Sequence, residues 1–333
     1  MEKRLELKRS GKKLSSMGVY LIPILMVIIL SIVSEYFLTP SNIVNLMMQV
    51  AVVGILAIGQ TFVIVTGGID LSVSSLLSLT GCLAIGLYND MSKGILLPLL
   101  AVILVGTLVG FANGIFVAKL KIEPFIVTLA MQSIVQAIVL FYTNGQPKSI
   151  NSANQLITDA NYGADFRYIG SGKLFGVLPM PFVIMVAVAL IFGVFLVKSR
   201  PGRYIFAVGG NKETARLSGI NVCKYQMLAY IICGITTAIA GIVYSARVGT
   251  GLPTMGSGYE LDSVAAVVIG GTALSGGKGS IGKTVAGAFI FAILANGLNL
   301  LGVSAYYQYL AVGVIILVAV LINNASTSSR KKR

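Results

Sequence analysis

Apolar residues along this chain gather into ten long runs separated by short polar stretches. The runs cover roughly 17–37, 43–65, 74–88, 95–118, 124–143, 179–197, 225–246, 262–275, 284–302 and 306–323. Most approach the roughly 20 apolar residues that a helix needs to cross the hydrocarbon core of a bilayer. The pattern therefore predicts an all-α, polytopic membrane protein with about ten transmembrane helices.

Composition supports a membrane protein and excludes several kinds of chemistry. Apolar residues make up 56% of the 333 positions and charged residues only 11%, whereas soluble domains are about one quarter charged. Histidine is absent, which excludes His-based acid–base catalysis and His-ligated metals. Cys82, Cys223 and Cys233 lack metal or redox spacing and are expected to be small buried hydrophobic residues. No cofactor is expected.

Lysine and arginine are divided unevenly between the two faces that ten spans define. Twenty of the 25 basic residues lie on the face that holds both termini. Because basic residues accumulate in cytoplasmic loops, both termini are expected in the cytoplasm, and the net charge of +14 reflects topology rather than a nucleic-acid partner. One transmembrane domain is expected over 1–333, with an N-terminal segment at 1–16, an external loop at 144–178, a cytoplasmic loop at 199–224 and a cytoplasmic tail at 324–333.

Two of the apolar runs, 74–88 and 262–275, are short for a membrane span. The polar stretch GGIDLS precedes the first, and GSGYELD leads into the second. Non-helical backbone survives at membrane depth only where it is buried in protein or lines an aqueous cavity. These broken helices are therefore expected to flank a translocation path.

The two broken helices, together with the residues that lead into them, also resemble each other weakly. DLSVSSLLSLTG begins at Asp70, and ELDSVAAVVIGG begins at Glu260. The spans that precede them run in opposite directions, as in an inverted repeat, although chance similarity between two small-residue helices explains the match equally well. Ionisable groups at this depth usually face a bundle interior or cavity. Asp70, Glu260 and Asp262 are therefore candidates for a path or hinge. Each is also a candidate helix cap, and the two roles are compatible.

The cytoplasmic loop predicts a short helix between two breaks. Pro201 and Gly202 are expected to break the sixth span, and Gly209 and Gly210 to interrupt the chain again. Asn211 is then a good N-cap, and Gly219 is a good stop. A helix of about two turns is unstable alone. It must therefore pack against its own bundle or a partner, unless the basic loop simply lies near anionic lipid.

Residues 277–284, GKGSIGKT, satisfy the phosphate-loop pattern with Gly277, Gly282, Lys283 and Thr284. That chemistry needs a strand before the loop, a helix after it, and an acidic residue that holds Mg²⁺. Apolar spans flank this stretch, and no soluble α/β domain is available. We therefore interpret it as a glycine-rich cytoplasmic turn rather than a nucleotide site.

Several long motifs resemble one family in the same order. The chain is similar to the permease subunits of bacterial ribose-type sugar ABC importers from about residue 43 onward. The motifs are GQTFVIVTGGIDLSVSSLLSLTG (59–81), YTNGQP (142–147), GRYIFAVGGNKETARLSGINV (202–222), GYELDSVAAVVIGGTALSGGKGSIG (258–282) and NGLNLLGVSAYYQ (296–308). Ser74, Ser75 and Lys283 depart from the residues usual in that family.

The resemblance implies a multi-pass protein of the bacterial inner membrane that imports a monosaccharide, with ribose the expected sugar. Implied partners are two ATPase subunits on the cytoplasmic face, a sugar-binding protein outside, and a second permease copy or paralogue. The residues expected to couple to the ATPase are Gly209, Gly210, Asn211, Glu213, Ala215, Arg216 and Gly219. Those expected at the path or hinge are Gln60, Asp70, Ser72, Ser74, Glu260, Asp262 and Asn299.

Two other functions compete with this one. An ion-coupled secondary transporter predicts carboxylates at the bilayer midplane and transport by the chain alone, whereas the acids here are expected at the periphery. A membrane ATPase resting on GKGSIGKT predicts nucleotide binding that is lost when Lys283 is replaced by alanine. Small-residue packing between helices is a further explanation for the serines near the broken segments.

Overall fold

The computed structural model describes residues 2–91, 94–150 and 163–304, together with separate positions between 306 and 321. The helices are α1 (Glu2–Val33), α2 (Pro40–Val65), α3 (Val73–Met91), α4 (Leu96–Gly114), α5 (Pro124–Thr143), α6 (Ala164–Ser171), α7 (Met180–Lys198), α8 (Arg200–Gly210), α9 (Lys212–Leu217), α10 (Val222–Val248), α11 (Tyr259–Ile269) and α12 (Ile281–Leu300). A π-helical turn, Ile115–Lys119, extends α4. The predicted mainly helical architecture is thus confirmed.

Four two-residue strands form two small antiparallel ladders. They are β1 (Lys148–Ser149), β2 (Lys173–Leu174), β3 (Leu178–Pro179) and β4 (Thr250–Gly251). β1 pairs with β4, and β2 pairs with β3. The first ladder joins the external loop to the segment after α10.

Within the described residues, six helices are long and apolar enough to cross a membrane. They are Pro40–Val65, Leu96–Lys119, Pro124–Thr143, Met180–Lys198, Val222–Val248 and Ile281–Leu300. The apolar part of α1, Gly18–Val33, is shorter, and α11 has only 11 residues. Half of the predicted tenth span, 306–323, lies outside the described residues, as do the tail 324–333 and part of the external loop, 151–162.

Helices α2 and α10 form the centre of the bundle. Every residue of α2 from Val50 to Val65 is buried, which is the pattern of a helix surrounded by other helices. Glycines bring α4 close to α10, since a Cβ at Gly106 would meet the backbone of Gly234 and one at Gly110 would meet the backbone of Tyr230. Small residues permit such close contact in membranes, where packing replaces the hydrophobic drive.

The outer helices expose large apolar side chains. Phe141 of α5 and Leu190 of α7 are 87% and 63% exposed. Contiguous apolar surface of this kind faces lipid or another subunit. The packing is therefore that of a membrane protein, with apolar residues on both its inside and its outside.

The two long loops contain helices that the sequence did not predict. Pro201 lies in the first turn of α8 rather than in a loop, because proline suits that position and the Ser199 hydroxyl accepts a hydrogen bond from the Gly202 amide at 3.0 Å. Helix α6 occupies part of the external loop.

Helix α11 begins at Tyr259, so Asp262 lies within the first turn and does not precede the helix as expected.

Candidate functional site

The first broken segment, residues 66–72, turns back beside the helix that it follows. Helix α2 ends at Val65, and Gly67 then adopts a φ of 82°. The chain returns until the Asp70 carbonyl accepts a hydrogen bond from Gln60 Nε2 at 3.2 Å. The segment thus places the Asp70 carboxylate inside the bundle, where it is 2% exposed.

Three side chains, Asp70, Ser72 and Asn113, form a buried polar group that we name the Asp70 cluster. Asp70 Oδ1 accepts from the Ser72 amide at 2.9 Å and from the Ser72 hydroxyl at 2.6 Å. Asn113 Nδ2 donates to Ser72 Oγ at 2.9 Å and to Asp70 Oδ2 at 3.3 Å. Among the described residues no cation pairs with Asp70, so donor groups alone compensate for its burial.

Two buried polar atoms, one in this cluster and one beside it, have no hydrogen-bond partner among the described residues. They are Asn113 Oδ1 and the Tyr230 hydroxyl, which lies against Gly68. Cys233 Sγ donates to Gln60 Oε1 at 3.6 Å and extends the polar contacts to α10. Buried polar atoms nearly always have a hydrogen-bond partner. This region can therefore form hydrogen bonds beyond those in the present structure.

The second broken segment, residues 249–258, follows α3 in the opposite direction. Glycines allow the close approach, because a Cβ at Gly251 would come within 2.8 Å of Cys82 Cα. Further along, the Gly256 amide donates to Ser78 Oγ at 2.9 Å. Both broken segments therefore adjoin α3, the first at its start and the second along its length.

Helix α9 has the start and the stop that the sequence predicts. Asn211 Oδ1 accepts from the Thr214 amide at 2.9 Å. Gly219 has a φ of 78°, and the amides of Gly219 and Ile220 donate to the carbonyls of Arg216 and Ala215, each at 3.0 Å. This is a Schellman ending, in which glycine accepts the left-handed conformation at little cost.

The surface of α9 is charged and open. Glu213 and Arg216 pair at 2.6 Å with side chains about two-thirds exposed, and the pKa of Glu213 is lowered by its hydrogen bond to Arg216. Leu217 is 73% exposed, whereas Ala215 is buried. Exposed ion pairs contribute little to stability. The exposed charges and the exposed leucine therefore form a surface that is accessible to a partner.

Three backbone segments meet where α8 ends, and we name this contact the glycine junction (Val65, Gly209, Gly276, Gly277). The Gly277 amide donates to the Val65 carbonyl at 2.9 Å. A Cβ at Gly209 would overlap that same carbonyl and approach Gly277 N to 2.7 Å, and one at Gly276 would lie 2.7 Å from the Gly209 carbonyl. The end of α2 therefore touches the segment just before α9 without an intervening side chain.

A model of one transporter family matches most of the chain. The family is described as a branched-chain amino acid transport system permease component, and residues 42–320 match it. The chain belongs to this permease family.

Individual relatives agree with that membership. The ribose import permease protein RbsC of Escherichia coli (strain K12) is 44% identical over 90% of this chain and 91% of its own length. RbsC of Bacillus subtilis (strain 168) is 41% identical over 95% of this chain and 94% of its own length. The D-allose transport system permease protein AlsC of E. coli (strain K12) is 35% identical over 91% of this chain and 90% of its own length. None of the solved structures matches the chain significantly.

The permease brings together only part of the predicted path set. Gln60, Asp70 and Ser72 are in contact, and Ser74 is buried one turn away at the start of α3. Glu260 instead accepts from the Gly258 amide at 3.0 Å, at the start of α11. Asn299 is exposed on α12 and accepts from Gln308 at 3.0 Å.

The sequence interpretation missed two members of the site. Asn113 and Tyr230 were not singled out, although a lone asparagine within the apolar run 95–118 was a usable signal. The Asp70 carboxylate is buried among α2, α4 and α10, so it faces the bundle interior as expected. The return of residues 66–72 places it there, and no local pattern encodes that return.

The residues of the phosphate-loop pattern have three different structural roles in this permease. Gly277 belongs to the glycine junction, Lys283 lies in the first turn of α12, and the buried Thr284 hydroxyl contacts Thr61 Oγ1 at 2.8 Å. A magnesium-binding threonine must face the nucleotide, whereas this one faces α2. The geometry therefore agrees with a turn.

Replacing Lys283 with alanine is expected to leave transport unchanged. The lysine lies at a helix start and performs no phosphate chemistry there. The measurement is fluorescent-nucleotide binding to the purified permease, together with uptake by the assembled transporter. Saturable binding to the permease alone, lost in Lys283→Ala, would contradict this interpretation.

Proposed function

We propose that this chain is the transmembrane permease subunit of an ATP-driven ABC importer, and that it translocates ribose delivered by a substrate-binding protein. The observation that carries the proposal is the near end-to-end match to permeases named for ribose import, at 41–44% identity. The chain itself is not an enzyme, and ATP hydrolysis takes place in a separate subunit. An exposed short helix beside a broken segment supports a coupled transporter.

We further propose ten crossings of the bacterial inner membrane within one domain, with both termini cytoplasmic. The apolar part of α1, helix α3, the short α11 with its following turn, and the run 306–323 add four crossings to the six long helices. The uneven distribution of lysine and arginine supports this orientation. Residues 70–81 and 260–271 then form the corresponding parts of an inverted repeat.

The proposed cycle begins at the two faces of the membrane. The sugar-binding protein docks on the external loop and on residues 247–260, and two ATPase subunits bind α9 and its flanks inside. A second permease copy or paralogue completes the path. Selectivity resides mainly in the binding protein, so the permease holds sugar weakly.

Movement of α9 then reaches the path through the glycine junction. ATP-driven closure of the ATPase pair displaces α9, and Gly209 transmits the displacement to Val65 by direct backbone contact. Val65 immediately precedes the segment that carries Asp70 and Ser72. Shifting that segment opens the path to one side at a time, with Gln60, Ser74, Glu260, Asp262 and Asn299 as the further candidates for its lining or hinges.

Purifying the tagged chain from native membranes in mild detergent is expected to recover an ATPase in equimolar amount, quantified by mass spectrometry. Ala215→Asp should reduce ATPase recovery about tenfold or more, because it places a charge at a buried position of α9. Ser218→Ala is the control, since it removes only an exposed hydroxyl bound to the Thr214 carbonyl. A chain that moves sugar in liposomes without any ATPase would instead establish a secondary transporter.

A further inference from the structure

Helix α5 carries a row of polar side chains that the proposed cycle does not use. Thr128, Gln132 and Gln136 are spaced by four residues and so lie on one helical face. We name this row the α5 polar stripe. Apart from Ser133 and Thr143, the rest of α5 is apolar, and most of its surface is unburied in the single chain.

The stripe contacts both broken segments. Thr128 Oγ1 donates to the Ile69 carbonyl at 3.2 Å, and Gln132 Nε2 donates to Ser74 Oγ at 3.0 Å. Gln136 Nε2 donates to the Pro253 carbonyl at 3.1 Å. One helical face therefore borders the irregular backbone of both segments.

The chemistry of these contacts fixes the orientation of both amides. The Pro253 carbonyl only accepts hydrogen bonds, so Gln136 must present its NH₂ group to it. The Ser74 hydroxyl donates to the Leu71 carbonyl, so it accepts from Gln132. In both glutamines Oε1 is left over, and among the described residues neither Oε1 receives a hydrogen bond.

These two acceptors are partly exposed on a helix that crosses the membrane. Gln132 and Gln136 are neither buried nor fully exposed. An unsatisfied amide oxygen facing hydrocarbon is costly, and irregular backbone at this depth borders either protein or an aqueous cavity. The stripe therefore faces water rather than lipid.

We propose that Gln132 and Gln136 form a subsite for the hydroxyl groups of a neutral polyol as it passes through the permease. Their acceptors are one helical turn apart, about 6 Å along the axis. Helix α5 has no charged residue, so the surface suits an uncharged hydroxylated solute and offers an ion no countercharge. This subsite rests on the proposed sugar import and adds residues to its path.

Sugar analogues test the subsite directly. The probes are D-ribose and each of its singly deoxygenated forms, measured as uptake by the full importer in proteoliposomes. Gln136→Leu should lower ribose uptake about fivefold, the effect of one hydrogen bond, and the variant-to-wild-type ratio should return to one for a single analogue. The variant and wild-type importers use the same binding protein, so the selectivity of that protein cancels in the ratio.

Controls separate recognition from structure. Ser133→Ala, which removes a hydroxyl bound to its own helix at the Leu129 carbonyl, should give a ratio near one for every sugar. An equal loss for all sugars in Gln132→Leu and Gln136→Leu would show that the amides only brace the helix, and would overturn the subsite. A wild-type importer that moves no sugar would refute the proposed function instead.

Thiol labelling provides a test that does not depend on uptake. In a Cys223→Ser background, Gln136→Cys should react with a water-soluble methanethiosulfonate reagent and be protected by D-ribose. Ile134→Cys, on the opposite face of α5, should react at least tenfold more slowly. Equal reactivity at both positions would overturn the subsite.

Discussion

Replacing Gly209 with alanine should abolish most sugar uptake while the ATPase stays bound. The new Cβ would overlap the Val65 carbonyl oxygen, which the Gly277 amide already holds at 2.9 Å. Backbone atoms fixed in this way cannot move aside as a flexible side chain can. Overpacking of this kind costs about 1–3 kcal/mol, enough to shift the junction and reduce uptake about tenfold or more.

The neighbouring glycine supplies a matched comparison. A Cβ at Gly210 would meet no atom of the described residues within 4 Å, so Gly210→Ala should lose clearly less uptake than Gly209→Ala. Both variants leave the α9 surface unchanged, so both should co-purify with the ATPase as the wild type does. The measurements are uptake and ATP hydrolysis in proteoliposomes. Equal losses in the two variants would show that the junction does not transmit motion.

The sequence predicted the local features of the site well. The cap at Asn211 and the stop at Gly219 depend on residues within one helical turn, where side-chain and backbone preferences decide the structure. The break after α2 also follows from neighbouring residues, because glycines and an acid interrupt an apolar run. Both predictions are confirmed in the described structure.

Features that join distant parts of the chain escaped prediction. Asn113 reaches Asp70 across 43 positions, and Gln132 reaches Ser74 across 58. The rotation of a helix that is apolar on nearly all sides has no periodic signature, so sequence alone does not say which face of α5 meets the broken segments. Helix α8 was missed for a different reason, since Pro201 and Gly202 were interpreted as helix breakers although proline starts the helix.

Replacing Asp70 with alanine should destabilise the protein more than any other single change at the site. It would leave the Ser72 amide and hydroxyl without their acceptor inside the bundle. Each unsatisfied buried group costs roughly 1–3 kcal/mol, so the free energy of unfolding should fall by about 2–6 kcal/mol. Denaturing-detergent titration of the purified protein measures this loss.

Asparagine at position 70 should preserve most of that stability. Its Oδ1 can still accept from Ser72, and its new NH₂ group meets Asn113, whose Oδ1 lacks a partner within the part of the chain that the structure describes. A rotation of the Asn113 amide would then supply the missing acceptor, at the expense of its bond to Ser72 Oγ. Asp70→Asn should therefore unfold at clearly higher denaturant than Asp70→Ala. If both unfold together, the carboxylate charge itself holds the segment.

The exposed Asn299, another of the path candidates, provides a comparison for the Asp70 cluster. Its contact with Gln308 lies at the surface, so Asn299→Ala should change the free energy of unfolding by no more than about 0.5 kcal/mol. A loss as large as that of Asp70→Ala would mean that the buried donors at Asp70 are not what stabilises the bundle. The comparison therefore tests whether the segment after Val65 is held by its own polar contacts, as motion transmitted through Gly209 requires.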